Sequence, residues 1–323
     1  MNRFDIKYLI ALAVLSLTSL ATAQSWPARP VRIVVPFAAG GTTDVVARIV
    51  GQKLGELWNQ SVLIENRGGA GGNIGADAVA KSNPDGYTIL MASGSIFTVN
   101  PSLYKKMPFD AQKDFIPVTN VAVGPMLVVT HPSVPANNIK ELIALSKTKP
   151  GSINFGSAGV GSQVHMAAEN FATAAGIDIQ HVPYKGEALG YNDLVAGQIQ
   201  MMVGNMAAAV GFVTQGKIKA LAVTSKTRSA MLPDVPTVAE SGLPGFENTG
   251  WFGFMLPAGT PNEIVDKVQR DTAKVLDSPE MRGRLFVQGL TPVGNSQADF
   301  AKAIAAEAER WKKVIADRKL SAG

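Results

Sequence analysis

Small and hydroxylated residues follow a predicted strand at two places where a predicted helix begins. The first is the corner after Val35, where two glycines precede Thr42–Asp44. Amide groups at a helix start lack partners within the helix and carry the positive end of its dipole, and glycines let a ligand approach them. The corner is therefore a candidate anion site, although one such corner is also typical of an ordinary capped turn. Its candidate ligand-binding residues are Phe37, Ala38, Gly40, Gly41 and Thr42.

A similar corner occurs later, within residues 154–171. Ser157, Gly161 and Ser162 offer hydroxyl groups and close backbone approach at a predicted helix start, and His165 lies within that helix near the loop. Two such corners, one in each half of the chain, predict opposing sides of a site for one small anion.

Three further polar residues are candidates for the same site. Lys185 follows Tyr184 at a predicted strand end and offers a positive charge, although most lysines are solvated surface residues. Ser93 ends another predicted strand and is a candidate for the far end of a ligand. Asn205 completes the set.

Two enzymatic alternatives remain open at this level. An exported α/β hydrolase would use Ser157 or Ser162 with His165, but no acidic partner is evident and Phe155 stands where a nucleophile elbow needs glycine. A dinucleotide-binding enzyme would use the glycines of 69–75, but the following strand lacks the acidic residue that would hold a ribose. Neither pattern supplies a complete catalytic or cofactor site.

The composition excludes several classes of function. The 323-residue chain contains no cysteine, three scattered histidines and a formal charge of +5 without a long basic run. We therefore expect no disulfide, no metal, no cofactor and no nucleic-acid partner. Residues 1–23 combine a basic start, a short apolar segment and an Ala-Thr-Ala motif, which predicts a signal peptide cleaved before Gln24.

Short apolar runs alternate with helical patterns along the remaining chain, which predicts a largely parallel α/β architecture. The first crossing between two domains is expected at Gly124-Pro125, between strands at 117–123 and 126–130. The predicted organisation is one lobe from residues 24–124 plus 226–323 and a second, inserted lobe from 125–225. Two crossings would leave a hinge and a cleft between the lobes.

Six blocks, in order, resemble the Bug family of periplasmic receptors of tripartite tricarboxylate transporters. They are WPARPVRIVVPFAAGGTTDVVAR, VLIENRGGAGGNIGADAVAKSNPDGYTIL, FGSAGVGSQVHMAAE, VPYKG, LAVTSKTRSAMLPDVPTVAESGLPGFE and PAGTP. The resemblance implies a two-lobed Venus-flytrap fold that binds a small carboxylate without catalysis, between the loops 37–43 and 157–162, through backbone groups and ordered waters.

The chain also departs from the family pattern. Prolines expected near Ala38-Ala39 and Leu189-Gly190, and acidic residues expected near Gln200 and Gly204, are absent.

The function that the resemblance implies is capture of a di- or tricarboxylate, an aromatic acid or an acidic amino acid in the periplasm. The protein is expected to be a monomer that presents the closed form to a membrane permease or sensor.

Overall fold

The computed structural model describes residues 26–322. The predicted signal peptide, residues 1–23, lies outside them. None of the helices in the described range has both the length and the apolar character needed to cross a bilayer.

Within this range, ten strands form one mixed sheet. They are β1 Val31–Val35, β2 Val62–Asn66, β3 Thr88–Ser93, β4 Phe115–Thr130, β5 Asn154–Ser157, β6 Gln180–Pro183, β7 Met201–Asn205, β8 Lys219–Val223, β9 Thr249–Pro257 and β10 Thr291–Pro292. The order is β2-β1-β3-β9-β4-β7-β5-β6, and β8 and β10 also pair with β4.

The described part of the chain also contains eleven α-helices. They are α1 Thr42–Trp58, α2 Asn73–Ala80, α3 Ser95–Thr98, α4 Asn100–Leu103, α5 Ile139–Thr148, α6 Gln163–Ala175, α7 Glu187–Val195, α8 Met206–Thr214, α9 Asn262–Asp277, α10 Pro279–Phe286 and α11 Gln297–Asp317. The expected alternation of strands and helices is confirmed.

The sheet is less parallel than the sequence pattern predicts. Parallel pairs occur in two similar sets, β1 with β2 and β3, and β5 with β6 and β7. The strands between these sets, β4 and β9, pair antiparallel with each other and with their other neighbours. The two sets are the centres of two lobes, and the antiparallel strands carry the chain out and back between them.

Strand β4 corrects the prediction of two strands separated at Gly124-Pro125. It is one 16-residue strand that pairs with β9 before this point and with β7 and β8 after it. Pro125 lies opposite Thr249, the first residue of β9, so its missing amide hydrogen falls where that ladder ends. The crossing between the lobes is therefore a continuous strand and not a loop.

Each lobe has its own apolar core. The first core packs α1, α9 and α10 against β1, β3 and β9, and includes Phe252 and Phe254. The second packs α6 against β5 and β7, with Phe155 and Phe171 fully buried. In the C-terminal helix α11, Phe300 and Ile315 are buried, and Ile304, Ala308 and Trp311 between them are half-buried, so one face of this helix packs against the core.

Candidate functional site

Four helices begin at one buried pocket. Gly41 precedes α1, Ser162 precedes α6, Gly186 precedes α7 and Asn205 precedes α8, each at the position just before the first helical turn. The strands β1, β5, β6 and β7 lead into these helices, so the strand ends hold the helix starts in place. Because each start carries partial positive charge, the pocket favours an anion without needing a basic side chain.

The pocket contains half of the predicted site residues. Its walls are formed by Phe37, Gly41, Thr42, Thr43, Ser93, Ala158, Ser162, Gln163, Val164, Glu187 and Asn205. Of the predicted residues, those on the wall are Phe37, Gly41, Thr42, Ser93, Ser162 and Asn205, and those outside it are Ala38, Gly40, Ser157, Gly161, His165 and Lys185. The structure therefore brings residues from both predicted corners together.

Three of the outlying residues act through their backbone. The Ala38 amide donates to the Lys185 carbonyl at 3.0 Å, which links the two predicted corners directly. The Lys185 side chain is exposed, so its ammonium group does not line the pocket. The Gly40 amide donates to Oδ2 of Asp44 at 3.0 Å, and this bond closes the turn at the start of α1.

The other three lie in a histidine cluster beneath the second corner. The Ser157 hydroxyl is 2.6 Å from Nε2 of His181, and the Gly161 amide donates to Nδ1 of His165 at 3.2 Å. The two imidazole rings stack with their centroids 4.0 Å apart. Burial lowers the pKa of His165 to about 3, with a smaller contribution from His181, and lowers the pKa of His181 to about 4. Both rings are therefore neutral at neutral pH.

These contacts do not form the hydrolase site considered from the sequence. The Ser162 hydroxyl accepts from the His165 backbone amide at 3.3 Å and so caps α6, while Ser157 pairs with His181 and not with His165. Both serines are buried, at 0% and 1% exposure. Glu169 lies 3.7 Å from Nε2 of His165, beyond hydrogen-bonding distance.

The glycines of 69–75 serve packing against the opposite loop. A Cβ atom on Gly71 would lie 2.1 Å from the Val160 carbonyl oxygen, so the two backbones are already in contact. A pyrophosphate has no space at this point of the loop, which counts against the dinucleotide alternative.

The two polar departures from the family pattern lie away from the pocket wall. Gln200 accepts the Asn154 amide through Oε1 at 2.9 Å, and this bond supports the edge of β5. At Gly204, a Cβ atom would lie 2.1 Å from the Tyr191 hydroxyl oxygen, so the ring of Tyr191 takes the space of a side chain. Gln200 therefore supports a strand edge, and Gly204 leaves space for the packing of Tyr191.

Five residues of the pocket wall were not among the predicted site residues, and Glu187 is the charged one. The other four are Thr43, Ala158, Gln163 and Val164. Oε1 of Glu187 accepts the Thr42 amide at 2.6 Å, and its Oε2 accepts the Asn205 backbone amide at 3.3 Å and the Asn205 side-chain Nδ2 at 2.9 Å. The residue is 5% exposed. Burial raises the pKa of this carboxyl group, and the hydrogen bonds from Thr42 and Asn205 act in the opposite direction.

The remaining space in the pocket is small. Its volume is about 10 Å³, which is close to the minimum for a single water molecule. Tyr104 adds a contact between the two lobes, because its hydroxyl donates to the Val160 carbonyl at 2.8 Å. The structure is thus a closed form, with both corners in contact.

A larger cavity of about 290 Å³ lies beside this pocket, and Gln163 lines both. Its wall is polar and comes from α3, α6, the segment before β9, and α11. The lining residues are Ser95, Thr98, Val99, Gln163, Met166, Asn170, Glu247, Asn248, Thr249, Glu307, Arg310, Trp311 and Val314.

Known proteins resemble the chain over nearly its full length. The family model described as "Tripartite tricarboxylate transporter family receptor" matches residues 46–320. Protein BugT of Bordetella pertussis is 37% identical over 307 residues, which cover 95% of this chain and 94% of BugT.

Two solved structures share both the sequence and the fold. An R. palustris protein with adipate is 38% identical with a TM-score of 0.89, over 92% of this chain and 99% of that one. MatC from Rhodopseudomonas palustris with bound malate is 32% identical with a TM-score of 0.86, over 90% of this chain and 100% of MatC.

Proposed function

Because the chain belongs to the tripartite tricarboxylate transporter receptor family, whose members are periplasmic solute-binding proteins and not enzymes, we propose that it captures a small carboxylated metabolite between its lobes. One carboxylate of the solute would lie at the start of α1, held by backbone amides of the corner at Gly41 and Thr42. Ser162 and the second corner would close over it from the other lobe.

The observation that carries this proposal is the meeting of four helix starts at one buried pocket. Their partial charges add up at the same point, and the pocket already accommodates a carboxylate, that of Glu187. Among the described residues that line it there is no lysine or arginine. Recognition by backbone amides therefore explains how an anion would be held here.

The remaining predicted residues support the same site in this proposal. Phe37, Ser93 and Asn205 would surround the solute, and Ala38, Gly40 and Lys185 would hold the first corner against the second lobe. The histidine cluster with Ser157, Gly161 and His165 would fix the shape of the second loop. The neighbouring cavity at Gln163 offers room for the distal part of a longer solute.

The solute class is proposed from the related complexes. Adipate and malate, seen in the two R. palustris proteins, are both dicarboxylates. A di- or tricarboxylate is therefore the first candidate for this chain, with an aromatic acid or an acidic amino acid as the alternatives.

The lobe boundaries proposed here are 24–124 plus 226–323 for one lobe and 125–225 for the inserted lobe. Val238 and Phe246 pack in the core of the inserted lobe, which favours extending that lobe to about residue 248. β4 and β9 then form the two connections, and bending of these strands would open the cleft.

We further propose that the protein acts in the periplasm as a monomer after removal of residues 1–23. Its closed form would be recognised by a membrane permease or sensor. Mass spectrometry of the exported protein should give a chain that begins at Gln24, and light scattering should give the mass of a single chain.

Calorimetric titration of the purified protein tests the proposed binding. The ligands are adipate, malate, citrate, benzoate and glutamate, and the control is adipamide, which keeps the length of adipate but lacks its charges. At least one carboxylate should bind while adipamide should not. Absence of binding by every carboxylate in this series would overturn the proposed ligand class.

A further inference from the structure

We propose that Glu187 is an internal substitute for the solute's carboxylate: it holds the ligand-free protein closed, and the solute binds by displacing it. The inference rests on the proposed function, because it concerns the same pocket, and it assigns that pocket a means of regulation. Glu187 would thereby set the affinity and the resting conformation of the receptor.

The hydrogen bonds of Glu187 are those expected for a bound ligand. Both carboxylate oxygens are satisfied, one by the first amide of α1 at Thr42 and the other by two donors of Asn205 at the start of α8. Charged acceptors form the stronger hydrogen bonds of proteins, particularly with backbone amides at helix starts. A solute carboxylate at this corner would need the same amide of Thr42.

The contact connects the two lobes. Thr42 lies in the N-terminal part of the chain, whereas Glu187 and Asn205 lie in the inserted part. The corner also fits the glutamate closely, since a Cβ atom on Gly41 would lie 3.1 Å from Cγ of Glu187. The Glu187 carboxylate is therefore a specific contact that holds the two lobes together.

The pocket has no room for two carboxylates. About 10 Å³ remains beside Glu187, and a carboxylate group is larger than the single water that this space would hold. Binding of the solute at Thr42 thus requires the Glu187 side chain to leave. If about nine-tenths of the ligand-free molecules are in the form that Glu187 closes, only about one-tenth can bind the solute. The apparent affinity for the solute is then about tenfold lower than that of the open form.

The test compares wild type with Glu187→Ala after both have been stripped of co-purified ligand by unfolding and refolding. Glu263→Ala is the matched control, because Glu263 is an exposed glutamate in the first turn of α9. Small-angle scattering gives the ligand-free conformation, and calorimetric titration with adipate, malate and citrate gives the affinities. Circular dichroism verifies that each variant is folded.

We expect ligand-free wild type and Glu263→Ala to scatter as the closed form, and Glu187→Ala to scatter as a larger, open form that closes on binding. Glu187→Ala should bind the dicarboxylate about tenfold more tightly than wild type. Glu187→Gln keeps the volume but brings an amide group towards donors, so it should also open the ligand-free protein.

The readouts separate the two proposals. A ligand-free wild type that is already open, or equal affinities in wild type and Glu187→Ala, would overturn the role of Glu187 while leaving carboxylate binding intact. Binding seen only in Glu187→Ala would support the displacement and overturn the ligand class proposed for the natural chain. If neither protein binds a carboxylate, the proposed function fails, and scattering alone decides whether Glu187 closes the lobes.

Discussion

Among single residues, the histidine pair shows how burial sets charge next to the site. His165 and His181 stack on each other, and His181 is within hydrogen-bonding distance of the Ser157 hydroxyl. Desolvation disfavours the charged imidazolium, so both rings remain neutral in the folded protein well below the pH at which a free histidine takes up a proton.

This pair predicts a loss of stability in mild acid. In the unfolded chain a histidine gains a proton near pH 6.5, but in the folded chain His165 and His181 do so only near pH 3 and 4. Between these limits the unfolded state binds more protons. The free energy of unfolding should therefore fall as the pH drops from about 6.5 to 4, by up to about 1.4 kcal/mol per pH unit for each histidine.

Urea unfolding at a series of pH values measures this slope, and His165→Gln isolates one histidine. In the variant, the free energy of unfolding should change less steeply with pH between about 6.5 and 4. The difference in slope should correspond to up to about one bound proton. Burial raises the pKa of Glu169, so its protonation makes the free energy of unfolding rise as the pH falls, opposite to the effect of the histidines. Both proteins contain Glu169, so the difference between their slopes reports on His165. Identical slopes in the two proteins would contradict a neutral, buried His165.

Glu187 shows which site residues the sequence could not supply. The sequence pattern predicts a helix over residues 189–196, whereas α7 begins at Glu187 itself. A glutamate after a glycine is common at exposed helix starts, so its type and position do not distinguish a buried carboxylate. Its role depends on the approach of Thr42, which is 145 residues away in the chain.

The secondary-structure elements that carry the site were largely predictable. Strand–glycine–helix corners have a local signature, and both predicted corners occur at the pocket, before α1 and α6. Strand β9 was missed, although it pairs with both β3 and β4. It is buried on both faces and begins after a segment rich in proline and glycine, so it lacks the alternating pattern that marks a half-buried strand.

The first corner allows backbone and side-chain recognition to be separated. Gly41→Val should abolish carboxylate binding, because Gly41 lines the pocket and the added side chain would take the space of the solute's carboxylate. Gly40→Val should do the same through strain, because Gly40 has φ of +87°. Thr42→Ala should only weaken binding, since its backbone amide remains.

Calorimetric titration of these variants with the carboxylate that binds wild type provides the measurement. Gly211→Val is the matched control, because Gly211 is an exposed glycine of α8 where a Cβ atom would meet nothing within 4 Å. Normal affinity in both Gly40→Val and Gly41→Val would mean that this corner is only a turn.

Across the whole molecule, the sequence predicted two α/β lobes but not how they are joined. Local patterns identify the parallel sets around β1 and β5, whereas the pairing of β4 with β9 joins residues 115–125 to 249–257. The apolar run of β4 is interrupted by Gly124-Pro125, which in most contexts ends a strand. Its continuity depends on the change of partner strands at that point.

Because β4 and β9 connect the two lobes, closure involves the entire molecule. A contact between the lobes outside the pocket can therefore report on closure. The Tyr104 hydroxyl donates to the Val160 carbonyl across the cleft. Tyr104→Phe removes this bond from every closed form, with or without solute. A hydrogen bond of about 1 kcal/mol would shift the balance between open and closed forms about fivefold.

The effect of Tyr104→Phe on affinity should depend on Glu187. In wild type the protein is closed before and after binding, so the bond is lost from both states and the dissociation constant should change by less than about twofold. In the Glu187→Ala background the ligand-free protein is open, and Tyr104→Phe should weaken binding about fivefold because only the bound state loses the bond. Titration of the four proteins measures both effects. Equal weakening in the two backgrounds would show that wild type is open before it binds.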